Sequence, residues 1–166
     1  TIWVDMKKCG VDVLISAPQK GWSASPCCAL VMLGERGKEK LASTTSTSFA
    51  CDLKKWHQIM EAYEKGGHAY HATMPTDSLK TFRNAMNEAI EYGLEKVKND
   101  QWELGQKIRD LLESKGIKSL AAKGHQAPGV IVSYTDDPKI KTGQKFLEHD
   151  IQIAAGVPIK CDEPED

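Results

Sequence analysis

The stretch "DVLISAPQKGWSASPCCALVML", residues 12–33, decides the fold. Two apolar runs of strand length, Val11–Ala17 and Cys27–Leu33, flank a turn-rich segment that contains Lys20. Neither run alternates polar with apolar residues, which is typical of strands covered on both faces. The link between the runs is too short for a crossover helix, so we expect an antiparallel pair with Lys20 in the connection.

Composition excludes several classes of partner. The 166 residues include 22 basic and 23 acidic side chains, which gives a net charge of −1. Nucleic acids and anionic membranes both favour a basic excess, so we expect neither as a partner. No apolar run approaches the roughly 18 residues of a membrane helix. The chain is therefore predicted to be a cytoplasmic globular protein.

The cysteines and histidines predict neither disulfides nor a metal site. The five cysteines are scattered, as is typical of reduced cytosolic thiols. Cys27 and Cys28 are adjacent, so we expect their side chains on opposite faces of the second strand and do not expect them to pair. His68 and His71 lie three residues apart without a further ligand at zinc-like spacing, so we expect no bound metal.

The rest of the chain reads as helices followed by short strands. A turn over Gly34–Lys40 enters a short helix, Ala42–Phe49 is a polar loop, and Leu53–Tyr63 has helical periodicity. Thr76 or Asp77 can cap a long helical region that runs to residue 116, with Gly93 as a kink or hinge. The predicted elements beyond it are three strands and a helix that ends within Phe146–His149; the strands are Ile117–Ala122, Gly129–Tyr134 and Ile151–Ala155.

This order predicts an α/β fold in two parts. Residues 1–92 would end one domain with its sheet, and residues 93–166 would form a smaller α+β unit that is itself incomplete. Thr1 begins inside an apolar piece and the last six residues, "CDEPED", follow a strand-like segment directly. We therefore expect a piece of a longer protein.

Lys20 is the candidate reactive group. Ligands of open α/β folds gather on loops at the ends of strands, which is where this lysine lies. Its amine can form a Schiff base when it is neutral, a state that partial burial and neighbouring positive charge favour. The small residues of Gly21–Ser25 leave room for a bulky cofactor. The alternative from the residues alone is an ordinary exposed loop lysine.

The same stretch resembles the cofactor-lysine segment of class V aminotransferases, fold-type I enzymes that use pyridoxal 5′-phosphate. It is most similar to the serine–pyruvate and alanine–glyoxylate branch. The matching pattern is Asp12, an apolar strand, Gln19-Lys20, a loop of small residues and a second apolar strand. The resemblance implies that Lys20 holds the cofactor and shuttles a proton at the substrate α-carbon, while Gln19 orients the lysine or contacts the cofactor.

A second segment agrees with this family. "YHATMP", residues 70–75, is similar to its Tyr-His-x-Thr-x-Pro stretch, which also leads into a long helix. The resemblance implies a homodimer in which Tyr70 and Thr73 reach the cofactor phosphate of the other subunit. The alternative is a helix-initiating turn with a buried tyrosine.

The resemblance extends over nearly the whole chain. Residues 93–117 look like the family's interdomain helix, and "IQIAAGV", residues 151–157, looks like its substrate-side strand. It therefore implies the end of the large cofactor-binding domain plus most of the small C-terminal domain. It also implies transamination between a small amino acid, such as serine or alanine, and a 2-oxo acid of the pyruvate or glyoxylate type.

Four groups of the family have no counterpart here, and two of them, the aromatic residue that stacks on the cofactor ring and the main phosphate-binding turn, lie further upstream in the family. The aspartate that pairs with the pyridine nitrogen precedes the lysine by more residues than this chain offers, and Asp5 and Asp12 are too close to it. The arginine that clamps the substrate carboxylate lies beyond the equivalent of "CDEPED", and no arginine follows Arg109. We therefore expect the isolated chain to be inactive.

Two other functions stay open at this point. A non-catalytic truncated homologue would act as a dimerisation or interaction module, because an exposed apolar strand edge favours association or strand exchange. A Schiff-base lysine without a cofactor, as in aldolases, would need acid and base partners near Lys20, and the sequence supplies none close by.

Overall fold

A computed structural model describes residues 3–156 of the chain. These residues form a mixed α/β structure, as predicted. Its elements, in chain order, are α1 (Met6–Cys9), β1 (Val13–Ser16), β2 (Leu30–Leu33), α2 (Glu35–Ser43), α3 (Leu53–Glu64), α4 (Thr76–Tyr92), α5 (Leu94–Ser114), α6 (Pro138–Lys141) and α7 (Gln144–Leu147).

The chain divides into two compact units, Thr1–Asp100 and Gln101–Asp166. The division falls inside α5. The domain boundary expected between residues 92 and 93 stays a prediction. No helix among residues 3–156 is both long enough and apolar enough to cross a lipid bilayer.

Strands β1 and β2 pair antiparallel and form a two-stranded ribbon, which confirms the prediction. Their register places Val13 opposite Leu33 and Ser16 opposite Leu30. Both strands are shorter than the apolar runs that predicted them. Helix α2 starts directly after β2 and lies close to the start of β1, because Gly34 N–H donates to the Asp12 carbonyl at 2.8 Å. A Cβ at Gly37 would lie 2.6 Å from that carbonyl oxygen, so the close approach requires glycine there.

The expectation that both strands are covered on two faces is wrong for this chain. Val13 is 47% exposed and Ile15 is 70% exposed. They lie two residues apart and therefore on one face of the ribbon. An apolar run indicates which residues favour burial. It does not show that the residues that would cover them belong to the same chain.

The adjacent cysteines also differ from expectation. Strand β2 begins at Leu30, so Cys27 and Cys28 precede it and do not follow strand alternation. Their sulfur atoms lie 3.9 Å apart. The Cys27 N–H donates to the Ser25 carbonyl at 2.8 Å, a tight turn that bends the backbone just before the pair.

Helix α3 confirms its prediction almost to the residue. The Asp52 carboxylate accepts from the Lys55 N–H at 3.0 Å and caps the first turn. At the other end, Gly66 has a φ of 79°, in the left-handed region that stops a helix at low steric cost.

The long helical region is broken at Gly93 into α4 and α5. Gly93 has a φ of 99°, so it leaves the helical region of backbone space altogether. Helix α4 begins at Thr76 with Pro75 as its N-cap, which makes no side-chain capping bond. Neither Thr76 nor Asp77 is therefore the cap, and that part of the prediction is wrong. The fixed φ of proline prepares the helix start without a capping side chain.

A polar cluster spans the break between α4 and α5. The Tyr92 hydroxyl donates to Asp100 Oδ2 at 2.6 Å, and Lys96 Nζ lies 2.6 Å from both of those oxygens. The Lys96 ammonium also lies 4.3 Å from the centre of the Tyr92 ring. The Asp100 pKa is lowered, mainly because Lys96 donates a hydrogen bond to the carboxylate and Tyr92 adds another.

The strands predicted after residue 116 are mostly wrong. The first two segments meet only at one antiparallel bridge, Ser119 to Ser133. The Leu120 N–H donates to the Val132 carbonyl at 2.9 Å and the Tyr134 N–H to the Lys118 carbonyl at 3.0 Å. A single bridge is too short to form a β-ladder, so these two segments are not strands of a sheet. The third segment, Ile151–Ala155, is irregular, and residue 157 of "IQIAAGV" lies outside the described residues, as does "CDEPED".

The packing of the second unit centres on helix α5 and the segment around Pro128. Gly105 is buried, and a Cβ there would overlap the Pro128 carbonyl oxygen. Arg109, only 3% exposed, donates from Nη2 to the carbonyls of Ala127 and Val130. Its Nε has no partner among the described residues. An arginine thus occupies the place that an apolar side chain usually takes.

Candidate cofactor-binding site

The Lys20 loop is a tight turn at the end of β1. Pro18 is fully buried at its base, and the Ala24 N–H donates to the Pro18 carbonyl at 3.1 Å. The Ser23 N–H donates to the Lys20 carbonyl at 2.9 Å, while Ser23 itself has a φ of 54°. A non-glycine residue in the left-handed region is held there at a cost, and such backbone concentrates at functional loops.

An aromatic contact fixes this loop to helix α4. The Trp22 and Phe82 rings meet edge to face, with centroids 5.9 Å apart and an interplanar angle of 75°. Phe82 is the most buried large apolar side chain of its helix, at 5% exposure. Such a pair contributes about 1 kcal/mol beyond the area it buries. The loop is therefore fastened on its inner side by Pro18 and Trp22.

Lys20 and Gln19 lie on the outer side of the same turn. Both side chains are exposed, so the partial burial expected for Lys20 is not present in the chain by itself. Within residues 3–156, the Lys20 ammonium makes no ion pair with any carboxylate. No carboxylate of the described residues therefore competes with a ligand for this side chain.

The Tyr70–Thr73 segment presents two hydroxyls side by side. Tyr70 Oη and Thr73 Oγ1 are hydrogen-bonded at 3.0 Å. Tyr70 is 75% exposed, so the alternative of a buried tyrosine at a helix-initiating turn is wrong. The pair offers two neighbouring neutral donors for one anionic group.

His71 anchors this segment from behind. Its ring stacks at a tilt on Phe49, with centroids 4.2 Å apart, and lies 5.0 Å from the Trp56 ring. His71 Nε2 lies 2.9 Å from the Phe49 carbonyl oxygen, and Trp56 Nε1 donates to the Ala50 carbonyl at 2.8 Å. Phe49 is itself 67% exposed, so His71 packs against a surface side chain, and Tyr70 and Thr73 are exposed beside it.

The structure thus brings two of the four predicted site residues into contact and places the other two on a separate loop. Tyr70 and Thr73 are bonded to each other, and Gln19 and Lys20 are neighbours. Their roles stay predictions. Sequence reasoning missed the packing contacts of Trp22 and His71. The signal for both was present, since each is an aromatic or imidazole ring within two residues of a predicted site residue.

Two clefts among the described residues lie elsewhere. One, of about 460 Å³, opens between β1 and α2 and is lined by Asp12, Arg36 and Lys40 among others. Another, of about 550 Å³, borders α5 in the second unit. Neither is lined by Lys20, Tyr70 or Thr73. Among residues 3–156, no group of three or more His, Cys, Asp or Glu side chains is arranged to hold a metal ion.

Comparison with known proteins gives a consistent set of relatives. The chain is 26% identical over 160 residues to alanine–glyoxylate aminotransferase 1 of Saccharomyces cerevisiae, covering 89% of this chain and 40% of that protein. It is 29% identical over 119 residues to the alanine–glyoxylate aminotransferase of Oryctolagus cuniculus, covering 70% of this chain and 30% of that protein. The chain therefore spans well under half the length of these relatives. No family model matches it.

The fold agrees with the same group of proteins. The crystal structure of an alanine–glyoxylate aminotransferase from Nostoc sp. matches with a TM-score of 0.82 at 20% sequence identity. The match covers 94% of this chain and 42% of that one. At this identity the likeness concerns the fold, and it confirms the predicted α/β class.

Proposed function

We propose that the protein functions in transamination, because the chain is similar to alanine–glyoxylate aminotransferases, class V enzymes of fold type I. The reaction would move an amino group between a small amino acid, such as serine or alanine, and a 2-oxo acid of the pyruvate or glyoxylate type. Pyridoxal 5′-phosphate would be the cofactor. The observation that carries the proposal is Lys20, an exposed amine without an ion pair among the described residues, on a hydrogen-bonded turn that follows a strand.

The residues present fit this cofactor. Lys20 supplies an amine that no carboxylate of the described residues occupies. Gly21 and Ser23 beside it are small, so a bulky aromatic ring can approach the amine. Gln19 precedes Lys20 on the same exposed turn, where its amide can donate to or accept from a polar ring substituent.

Tyr70 and Thr73 fit the phosphate of the cofactor. Two hydroxyls 3.0 Å apart can both donate to one phosphate group. They are neutral, so each contributes less than a charged donor would. By resemblance they serve the cofactor of a second copy of the chain, which makes a homodimer part of the proposal. The 75% exposure of Tyr70 leaves its ring accessible to such a copy.

Lys20 would carry the proton chemistry. When bound, the cofactor supplies an electron sink that stabilises negative charge at the substrate α-carbon. Lys20 Nζ would take the proton from the substrate α-carbon, acting as a base, and would then deliver it to the cofactor, acting as an acid. Gln19 orients that amine. The inner anchors Pro18 and Trp22 limit how far Nζ moves between the two positions.

A spectroscopic titration tests the proposal without requiring turnover. We expect pyridoxal 5′-phosphate to give a saturable visible absorption band with the chain, and we expect Lys20→Arg to abolish it. Lys123→Arg is the matched control, because Lys123 is also an exposed lysine on a turn. A band that survives Lys20→Arg, or that Lys123→Arg reduces equally, contradicts the assignment of Lys20.

The exposed face of the ribbon favours a second candidate function, an interaction module. Val13 and Ile15 place apolar side chains side by side on a surface of this chain. Such a surface favours association with a second copy or strand exchange. We expect Ile15→Lys to shift the chain towards monomer in sedimentation velocity, while Leu147→Lys, at a residue 63% exposed in the second unit, leaves association unchanged. A chain that is monomeric at all concentrations rules this function out.

A further inference from the structure

Cys27 and Cys28 form a pair of thiols that the proposed function does not use. They lie in the β1–β2 connection, between the Lys20 loop and β2. The Cys27 thiol donates to Cys28 Sγ across 3.9 Å, and both residues are half-buried. The exposed cysteines Cys9 and Cys51 have no thiol within hydrogen-bonding distance among the described residues.

The spacing of the two sulfurs suits a shared ligand better than a direct bond. Consecutive Cα atoms are about 3.8 Å apart, which is shorter than the roughly 4.4–6.8 Å of ordinary disulfides, so a bond between neighbours is strained. A tetrahedral centre with sulfur bonds of about 2.3 Å holds its two sulfurs about 3.8 Å apart, and pyramidal trivalent arsenic, whose bond angles are closer to a right angle, holds them somewhat closer. The two sulfurs lie 3.9 Å apart, so capture requires a rotation of the side chains that brings them slightly together.

We propose that Cys27 and Cys28 form a vicinal-dithiol site that captures soft, thiophilic centres through two sulfur bonds, represented by trivalent arsenic. Soft thiolate ligands select such centres over hard cations. Burial raises the pKa of the Cys28 thiol, and its neighbour Cys27 raises it further. The Cys28 thiol therefore stays protonated until a ligand takes the place of its proton.

The capture step balances without an oxidant. A monosubstituted arsenic(III) oxide, R–As=O, reacts with the two thiols to form two As–S bonds. The arsenic–oxygen double bond breaks, and its oxygen leaves as water with both thiol protons. Arsenic and sulfur keep their oxidation states. One thiol alone can form only one of the two bonds, and a competing monothiol displaces a ligand held in that way.

Phenylarsine oxide tests the site by retention. The pair variant Cys9→Ser/Cys51→Ser/Cys161→Ser keeps only Cys27 and Cys28, and we expect it to retain one arsenical per chain in excess 2-mercaptoethanol. Adding 1,2-ethanedithiol should release it. Intact-protein mass spectrometry after gel filtration measures retention. Adding Cys27→Ser or Cys28→Ser to the same background should lower retention at least tenfold.

A reciprocal variant makes the test decisive. Cys27→Ser/Cys28→Ser keeps Cys9, Cys51 and Cys161, and we expect it to lose the arsenical to the monothiol. Retention by this variant equal to that of the pair variant overturns the proposal. So does failure of the pair variant to retain the arsenical, provided that circular dichroism shows it folded. Cys28→Ala repeats the comparison if Cys28→Ser lowers stability.

Discussion

Lys20 and Arg109 are two cations that the chain holds in opposite ways. Lys20 lies outward on a turn whose inner side is fastened by Pro18 and Trp22. Arg109 lies inward at 3% exposure and donates to two backbone carbonyls, so its charge organises the second unit. The difference separates a cation bound to the backbone from one that the described residues leave exposed. A buried guanidinium bound to backbone oxygens is structural, whereas the Lys20 amine is exposed and makes no ion pair within residues 3–156.

The largest expected effect concerns the inward cation. Arg109→Met keeps much of the side-chain volume but leaves the carbonyls of Ala127 and Val130 without their charged donor. Hydrogen bonds to charged groups contribute about 1.5–3 kcal/mol each. The variant also removes the buried Nε, which has no partner among the described residues, and this offsets part of the loss. We expect urea unfolding to show a loss of about 3 kcal/mol.

Arg83→Met is the control for that change. Arg83 is exposed on α4, and within residues 3–156 its side chain donates a hydrogen bond only to its neighbour Asn84. We expect its replacement to change stability by less than about 0.5 kcal/mol. Equal losses for the two variants would mean that Arg109 is no more structural than a surface arginine, and the contrast with Lys20 would fail.

The next effect tests the backbone that Arg109 holds. Gly105→Ala places a methyl group against the Pro128 carbonyl oxygen, so helix α5 and the Pro128 segment must separate. Overpacking costs about 1–3 kcal/mol, while alanine favours the helix by about 1 kcal/mol. We expect a net destabilisation of about 1 kcal/mol in urea unfolding. Gln106→Ala, at an exposed position on the same helix, should be near neutral, and a stabilised Gly105→Ala variant would contradict the packing described here.

A change behind Lys20 tests the other half of the comparison. Trp22→Leu removes the edge-to-face contact with Phe82 and loosens the turn, with an expected loss of about 1 kcal/mol. We also expect a weaker visible band with pyridoxal 5′-phosphate, because the amine is less well positioned. Trp102→Leu is the control, since Trp102 is 43% exposed on α5. If both variants behave alike, the anchor behind Lys20 has no role in presenting the amine.

The smallest expected change in stability comes from the ion pair between Lys145 and Asp137. Lys145 donates to the Asp137 carboxylate and lowers its pKa, and the Lys139 N–H at the start of α6 lowers it further. A carboxylate whose pKa is lower in the folded than in the unfolded state stabilises the fold at pH values above its unfolded pKa. This stabilisation is lost as the pH falls through the folded pKa. Asp137→Asn should therefore flatten the acid side of the thermal-stability profile slightly. Asp136→Asn is the neighbouring control and should leave the profile unchanged.

Local features of the sequence predicted much of the first unit. The antiparallel ribbon, the polar loop after α2 and helix α3 follow from periodicity and turn residues that act within a few positions. Gly93 marked the break between α4 and α5. Lys20 was singled out from its position after the first strand, and the Tyr70–Thr73 pair by resemblance. The partial burial expected for Lys20 is not present, and the roles of all three residues stay predictions.

The second unit was harder to predict for a physical reason. Apolar runs at residues 117–122 and 129–134 indicated strands, but Arg109 and Gln101 bind the backbone of the Pro128 segment, which competes with a regular ladder. A buried arginine gives no local signal, because its burial depends on carbonyls about twenty residues away. The sulfur contact of Cys27 and Cys28 was missed because a strand was assumed to include them.

Peptide mapping of the reduced cofactor adduct tests the central claim most directly. After incubation with pyridoxal 5′-phosphate and reduction with borohydride, we expect one modified lysine, Lys20, seen as a missed tryptic cleavage that carries the pyridoxyl group. Lys123 and the other exposed lysines should stay unmodified at equimolar cofactor. An adduct spread over surface lysines, with no preference for Lys20, would contradict the account.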